Sequence, residues 1–344
     1  MLIGVAILAG VLLLTFFVVF RKVDPAEVLN ALKNVHPGWI ITGICMMFLF
    51  SIGEALNLRR PLRMLGYKTT LWQAFVYAIV GFFFASITPS STGGQPMQMY
   101  YMHQKGIKVS HGLFAVLVQL MGYESASVLL AILGYNIMHP LITETLGPGR
   151  YLLLVGIVIN LVFLAFIILV LFSKRAVHGI CGVLIKIVDR FKGKRQQKIT
   201  ERIEKIILEY GDLSGYFKGN GKVVAKTLIT SICQFFCMFL IPWLVYRGLG
   251  FSEYNPFQII LLQAVLFVAV GFIPIPGAAG VTESGFMLIY RLLYPASMMA
   301  SAMLLTRTLN LYSIVLIYGI MLFIISPRFL RRNNNEVVSP QNDE

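Results

Sequence analysis

Apolar residues run along this chain in long blocks, and polar residues collect between the blocks rather than alternating within them. Uninterrupted runs fall at about Leu2–Phe20, Gly38–Asn57, Leu113–Ile137, Tyr151–Phe172, Val223–Tyr246 and Ser297–Ser326. Each is close to the ~20 residues a helix needs to cross the hydrocarbon core of a bilayer. Two further apolar stretches are broken. Phe82–Gln104 starts in an aromatic run and breaks at TPSSTGGQP (Thr88–Pro96), and Val268–Tyr290 breaks at PIPGAAGVTE (Pro274–Glu283). Proline removes an amide donor and glycine frees the backbone, so neither knot lies inside a continuous helix. Broken backbone at membrane depth survives where it is buried in protein or lines a wet cavity. A matched pair of interrupted segments points to a transporter's substrate site.

Composition narrows the class. With 57% hydrophobic and 13% charged residues, the chain reads as a polytopic membrane protein. The net charge of +14 would suggest nucleic acid in a soluble protein. Here the basic residues lie mostly between spans, so orientation and anionic lipid account for them and no nucleic-acid partner is expected. Leu2–Phe20 lacks a basic leader and a small-residue cleavage site, and reads as a retained helix. Cys233 and Cys237, one turn apart on an apolar helix, read as packing residues. No His/Cys/carboxylate group has metal-ligand spacing and no phosphate-binding glycine pattern occurs, so neither metal nor cofactor is expected. No nucleophile, base and orienting residue assemble from the sequence, which leaves no catalytic residues to name and leans away from an enzyme.

The basic residues also set a topology. If both interrupted segments turn back and the N-terminus is cytoplasmic, the inner side receives Arg59, Arg60, Arg63, Lys68, Lys105 and Lys108. It also receives twelve Lys/Arg from Lys174 to Lys222, and Arg328, Arg331 and Arg332. The outer side keeps Arg21, Lys22, Lys33, Arg150 and Arg247. That is the asymmetry of the positive-inside rule, although Arg21-Lys22 taken alone would draw its end inward. The expected fold is an all-α polytopic protein of about six spans plus two re-entrant helical hairpins. Span, hairpin, span occurs twice with opposite sense, an inverted-topology repeat whose hairpin tips meet near the midplane.

The organisation follows. Residues 1–37 form an N-terminal span and outer loop. Residues 38–173 form the first repeat, with its hairpin at 72–104, plus a following span. Residues 174–222 are a basic connector in which Ile180, Val183, Leu184, Ile187, Val188 and Phe191, then Ile199, Ile203, Ile206, Ile207 and Tyr210, recur at helical spacing. That connector suits an anionic lipid surface, or equally a solvated linker. Residues 223–326 form the second repeat, with its hairpin at 256–294, and 327–344 a cytoplasmic tail. Both termini are expected inside, and the compartment is the plasma membrane.

Chemistry concentrates at the breaks. Gly93-Gly94-Gln95-Pro96, after Pro89, places proline where a short helix would begin, and the unpaired first-turn amides suit a phosphate. In the second knot (Pro274, Pro276, Gly277, Gly280), Thr282 reads as an N-cap and Glu283 as a first-turn acid. A carboxylate near the midplane is a functional candidate, though complementing the helix dipole is the plainer role. Arg307 lies inside the last span with Asn310 nearby, and needs Glu283, a lipid phosphate or hairpin carbonyls as its partner. Glu124 should face the bundle. Glu54 reads as a partner for Arg59 or Arg60. Tyr100 and Tyr101 read as cavity lining or as interfacial anchors, and Gln98 and His103 have no clear partner.

An Arg63-Met64-Leu65-Gly66 element, the Pro89–Pro96 hairpin, the P-x-P-G-x-x-G-x-T-E hairpin of Pro274–Glu283 and the intramembrane Arg307 together resemble the lysylphosphatidylglycerol synthase transmembrane, or flippase-like, family, over about Leu2 to Arg332. The resemblance implies a lipid flippase region, and with it antimicrobial peptide resistance. In long members a soluble aminoacyl-transferase domain follows, and its activity is not expected here. Where the family often has Arg after the first knot, Met97 and Gln98 stand; where it commonly has Glu-Arg in the third span, Gln119-Leu120 stand.

The expected function is movement of a phospholipid, aminoacylated phosphatidylglycerol or another polar-headed lipid, between leaflets. The phosphate would sit on helix-end amides and Arg307, and Glu283 would meet a cationic headgroup or a proton. Alternatives are a lysyltransferase-type lipid-modifying protein working with a separate catalytic partner, a small-solute transporter, or a scaffold docking on the connector.

Overall fold

A computed structural model describes residues 35–88, 91–173, 219–271 and 281–330, with a few isolated positions elsewhere. Among them every regular element is a helix. Five helical stretches are long and apolar enough to span a bilayer: Pro37–Met64, Val109–Ile137, Gly147–Phe172, Gly221–Gly248 and Ala296–Phe329. They coincide with five of the six expected spans; Leu2–Phe20 lies outside the described residues. The paired amphipathic stripes of the connector also fall outside them, isolated positions apart.

Helix α1 (Pro37–Met64) starts on Pro37, with His36 Nδ1 accepting from Gly38 N. It ends on the Arg63–Gly66 element. Gly66 takes φ +85°, and Gly66 N and Tyr67 N donate to Arg63 O and Leu62 O. Only a glycine adopts that turn without strain, so the element is a helix stop. Helix α2 (Leu71–Ile87) begins with a reciprocal cap: Gln73 N donates to Thr70 Oγ1 and Thr70 N to Gln73 Oε1. Its 17 residues span about 25 Å at 1.5 Å each, short of the ~30 Å hydrocarbon core.

Across the first knot, Thr88 Oγ1 donates to Phe84 O (2.7 Å) and accepts from Gly93 N (2.9 Å). Helix α3 (Gly94–Gln104) then runs back along α2, with Gly94 against Gly81 and Ala85 and Gln98 over Gly81. It closes on Gly106 (φ +80°) just before α4 (Val109–Ile137). Lys108 N donates to Tyr67 OH (3.2 Å), and that hydroxyl also hydrogen-bonds His111. Tyr67, just before α2, and Lys108, just after α3, are therefore neighbours.

After α5 (His139–Leu146) and α6 (Arg150–Phe172), α7 (Gly221–Phe239) and α8 (Ile241–Gly248) form one long element kinked at Leu240, with Pro242 just after the break. This element lies antiparallel to α1. Trp39 meets Trp243 edge-on, Asn57 Nδ2 donates to Ser231 Oγ (2.9 Å), and Arg60 Nη2 donates to Thr230 Oγ1 (2.6 Å).

Helix α9 (Pro256–Gly271) repeats the design of α2. It has 16 residues and a reciprocal Asn255/Gln258 cap at its start. Ala74–Gly81 of α2 and Ile259–Leu266 of α9 are buried without interruption. A helix buried on every side has protein all round it. Around α9 the neighbours are glycines, since Gly134 of α4 sits on the Leu261 carbonyl and Gly156 of α6 on Ala269.

The chain continues through α10 (Val281–Ile289) and α11 (Ala296–Arg307), then a π-helical turn at Thr308–Tyr312, into α12 (Ser313–Phe329). Helix α12 covers α2. Tyr318 packs on Phe75 and Phe82, Phe329 packs on Tyr77, and Tyr101 of α3 hydrogen-bonds Ser326 at 2.7 Å. So α2 lies against the last long helix of the C-terminal half, and α9 against α4 of the N-terminal half. Helix α6, by contrast, exposes Leu152, Val155, Val158, Val162, Phe166 and Leu169, the apolar surface of a lipid-facing helix.

Candidate functional site

A cavity of about 690 Å³ opens at the centre of the bundle. Its lining comes from the long helices: Phe50, Ser51 and Glu54 of α1, Gln119, Tyr123 and Glu124 of α4, Asn160 of α6, Met238 of α7, and Arg307, Asn310 and Leu311. The two short arms supply Ala78, Gly81, Phe82, Ala85 and Ser86 from α2, and Gln263, Phe267, Val270 and Gly271 from α9. Most of these helices are apolar, yet the cavity gathers two carboxylates, a guanidinium and several amides. Buried polar groups are costly without partners, so their partners reveal what each has left to offer.

Glu54 is held by amides. Its Oε1 accepts from Gln119 Nε2 and its Oε2 from Gln234 Nε2, both at 2.9 Å. The Gln98 carboxamide faces the same carboxylate. The expected pairing with Arg59 or Arg60 does not form. Arg59 Nε donates to Thr69 O, and Arg60 donates to Asn57 Oδ1 (2.7 Å), Lys226 O (3.0 Å) and Thr230 Oγ1.

Arg60 instead orients the amides. A guanidinium only donates, so Asn57 presents its oxygen to Arg60 and its nitrogen to Ser231 Oγ and to Gln234 Oε1 (3.4 Å). Gln234 is then left with its nitrogen for Glu54. A directed chain of hydrogen bonds thus runs from the basic end of α1 to a carboxylate that must be an acceptor.

Other groups are oriented in the same way. Gln263 Oε1 accepts from Tyr290 OH (2.8 Å), which leaves its –NH2 to offer. Asn160 Nδ2 donates to Gly156 O and Val268 O, which leaves its oxygen. Arg307 is buried at the edge of the π-helical turn that carries Asn310. Asn310 Oδ1 has no hydrogen-bond partner among the described residues. Single π turns occur frequently at functional sites. The cavity therefore sets –NH2 donors and amide oxygens beside a guanidinium and two carboxylates, a complement for a ligand carrying both kinds of group.

The sequence-derived candidates divide. Gly94, Gln95, Glu124, Arg307 and Asn310 all line the cavity. Gly93 stands just behind it, bonded to Thr88, and Pro96 is exposed. Pro96 is the third residue of α3 rather than its first; first-turn amides have no helical partner, so a proline is tolerated at any of them. Tyr100 faces outward and Tyr101 packs on Phe329 and Ser326, so neither reaches the cavity.

Pro89, Pro274, Pro276, Gly277 and Gly280 lie outside the described residues. Helix α10 begins at Val281, which puts Thr282 inside its first turn instead of capping it, with Glu283 next; their side chains lie outside the described residues. Gln119, Gln234, Gln263 and Asn160 were not singled out from the sequence as site residues. Their one signal is a carboxamide in an otherwise apolar helix.

Gly81 is what lets Gln98 approach. A Cβ there would sit 2.1 Å from Gln98 Nε2. Gly81→Ala is expected to displace that carboxamide and cost about 1.5–3 kcal/mol of stability, the scale of a lost hydrogen bond to a charged group. The penalty should nearly vanish when Gln98 is alanine as well, which a double-mutant cycle of thermal unfolding measures.

Residues 1–317 match the family described as "Lysylphosphatidylglycerol synthase TM region". The chain is also similar to UPF0104 membrane proteins of archaea. One from Archaeoglobus fulgidus is 20% identical over 289 residues, covering 82% of this chain and 85% of the relative. One from Methanothermobacter thermautotrophicus is 20% identical over 296 residues, covering 84% of this chain and 82% of the relative. An uncharacterized protein of Mycoplasma pneumoniae is 20% identical over 293 residues, covering 80% and 74%. With that match spanning most of its length and five membrane-length helices, this multi-pass membrane protein belongs to the lysylphosphatidylglycerol synthase TM region family.

Proposed function

We propose that the protein carries a polar-headed phospholipid between membrane leaflets, its headgroup passing through the central cavity. The observation that carries this reading is a set of charged and amide groups at the half-length of helices whose outer faces are apolar. Ionisable groups at that depth are expensive, and they mark pathways. In this reading Arg307, Asn310 and the first-turn amides of α3 receive the phosphate, and Glu283, in the first turn of α10, serves a cationic headgroup or a proton.

The mechanism is alternating access in an inverted repeat, with two re-entrant hairpins as the moving tips. Support comes from α2 and α9, each shorter than the hydrocarbon core is thick, each opened by the same reciprocal cap, and each packed on the other half. The antiparallel run of α1 against α7 and α8, the first spans of the two proposed repeats, supports it too. Arg60, Lys108 and Lys226 lie at one end of the bundle, which supports placing that end in the cytoplasm, together with both termini and the 174–222 connector on an anionic plasma-membrane surface.

Proteoliposomes carrying labelled phospholipids with different headgroups test the reading. Wild-type protein is expected to exchange at least one headgroup class faster than empty vesicles. Arg307→Ala should slow that exchange about tenfold or more, equivalent to ~1.4 kcal/mol in the barrier. Exchange no faster than in empty vesicles for every headgroup, or an undiminished rate in Arg307→Ala, would remove the basis for it.

A further inference from the structure

A second concavity, about 450 Å³, lies between the last turns of α1 and the first turns of α7, away from the central cavity. Eight residues line it: Arg59, Arg60, Arg63, Lys222 and Lys226, with Leu56, Met64 and Val223. Five are cationic, three apolar and none acidic. The nearest carboxylate along α1, Glu54, is committed to Gln119 and Gln234.

We propose that this cleft is a binding site for the phosphate-bearing headgroup of an anionic phospholipid, separate from any transported lipid. It stands whether or not the transport reading does. The cations are arranged in a way that serves the fold poorly. Lys222 and Lys226 occupy the first two turns of α7, where the helix dipole already presents positive charge, and they face three arginines. An anion between the two helices resolves that repulsion.

Two of the guanidiniums are held in place by the protein. Arg59 is fixed on Thr69 O, and Arg60 on Asn57, Thr230 and Lys226 O, while Arg63, Lys222 and Lys226 are exposed. Part of the donor array is therefore preorganised, which lowers the ordering cost of binding.

Size and lining favour a lipid over a free ion. The volume would hold on the order of fifteen waters at ~30 Å³ each, far more than bare phosphate fills. Leu56, Met64 and Val223 give the glycerol and the upper acyl carbons an apolar surface. Basic pockets between membrane helices at the cytoplasmic side are a recurrent solution for anionic headgroups. Arg60 also begins the hydrogen-bond chain that ends on Glu54, so an anion resting on Arg60 bears on the orientation of groups in the central cavity.

The test is thermal unfolding of the full chain in detergent micelles, titrated with dioleoyl phosphatidylglycerol, dioleoyl phosphatidylcholine or inorganic phosphate. Phosphatidylglycerol is expected to raise the unfolding temperature, less so at high salt, and phosphatidylcholine to leave it unchanged. The combined variant Arg63→Gln/Lys222→Gln/Lys226→Gln, all at exposed positions, should need about tenfold more phosphatidylglycerol for the same rise. Replacing Lys192, Lys194 and Lys198 of the connector by Gln should leave the wild-type response. The assignment is overturned by an undiminished response in the cleft variant, by loss of response in the connector variant alone, by inorganic phosphate reproducing the rise, or by no rise in the wild type.

Discussion

Glu54→Ala is expected to lower the stability of the folded bundle by roughly 2–6 kcal/mol, because it strands two buried amide donors at about 1–3 kcal/mol each. Gln119 Nε2 and Gln234 Nε2 both give their hydrogen bonds to this carboxylate from separate helices. Gln234 cannot turn over to compensate, since its oxygen is taken by Asn57, whose own oxygen is taken by Arg60. Glu54→Gln keeps the shape but offers one carbonyl oxygen where the carboxylate offered two, and sets an –NH2 against another –NH2. It should cost about half as much as alanine. Unfolding in detergent micelles, followed by the aromatic near-ultraviolet signal, gives the comparison. Equal, near-zero costs for both variants would show that the amides hold no such carboxylate.

The second large effect is steric. Gly134→Ala would place a Cβ 2.4 Å from the Leu261 carbonyl oxygen, and Gly156→Ala one 2.6 Å from Ala269 Cα. Both obstacles are backbone, so no side chain can swing aside; α9 must move away from α4 or α6. Overpacking of this kind typically costs about 1–3 kcal/mol per site, and the two should add to more where both press on one helix. Gly221, with nothing within 4 Å of its virtual Cβ, is the control: Gly221→Ala should change stability by less than ~0.5 kcal/mol. A double variant as stable as the control would mean that α9 is not gripped by these two glycines.

What could be read from the sequence follows physical range. Spans are local, twenty apolar residues in a row, and all five described long helices were legible. The break at Thr88–Pro96 was legible because proline and glycine act on their own backbone, while the Pro274–Gly280 part of the second knot lies outside the described residues. Arg307, Asn310 and Glu124 stood out as polar groups in apolar runs, and they line one cavity. The partners did not stand out.

Glu54 was matched to Arg59 and Arg60 by nearness in the chain. On a helix, neighbours are three or four residues apart, while five or six residues put side chains on different faces. Its actual partners are 65 and 180 residues away. A glutamine in an apolar helix also carries no sign of whether it will donate or accept. For Gln234 that choice is made by Arg60, acting through Asn57 from another helix, and no local pattern encodes it.

The placement of α2 bears on how such a chain is made. Its aromatic residues close on Tyr318 and Phe329, some 240 residues downstream, so during synthesis they have no protein neighbours for most of the time the ribosome is at work. A stretch shorter than the hydrocarbon core is thick and too apolar for water must wait at the insertion machinery, or beside lipid, until α12 emerges. Pairings that distant in the chain are the slow ones in any assembly pathway. Losing α12, the seventeen residues Ser313–Phe329, would therefore leave the opposite half of the molecule unable to finish folding, although every residue of that half had been made.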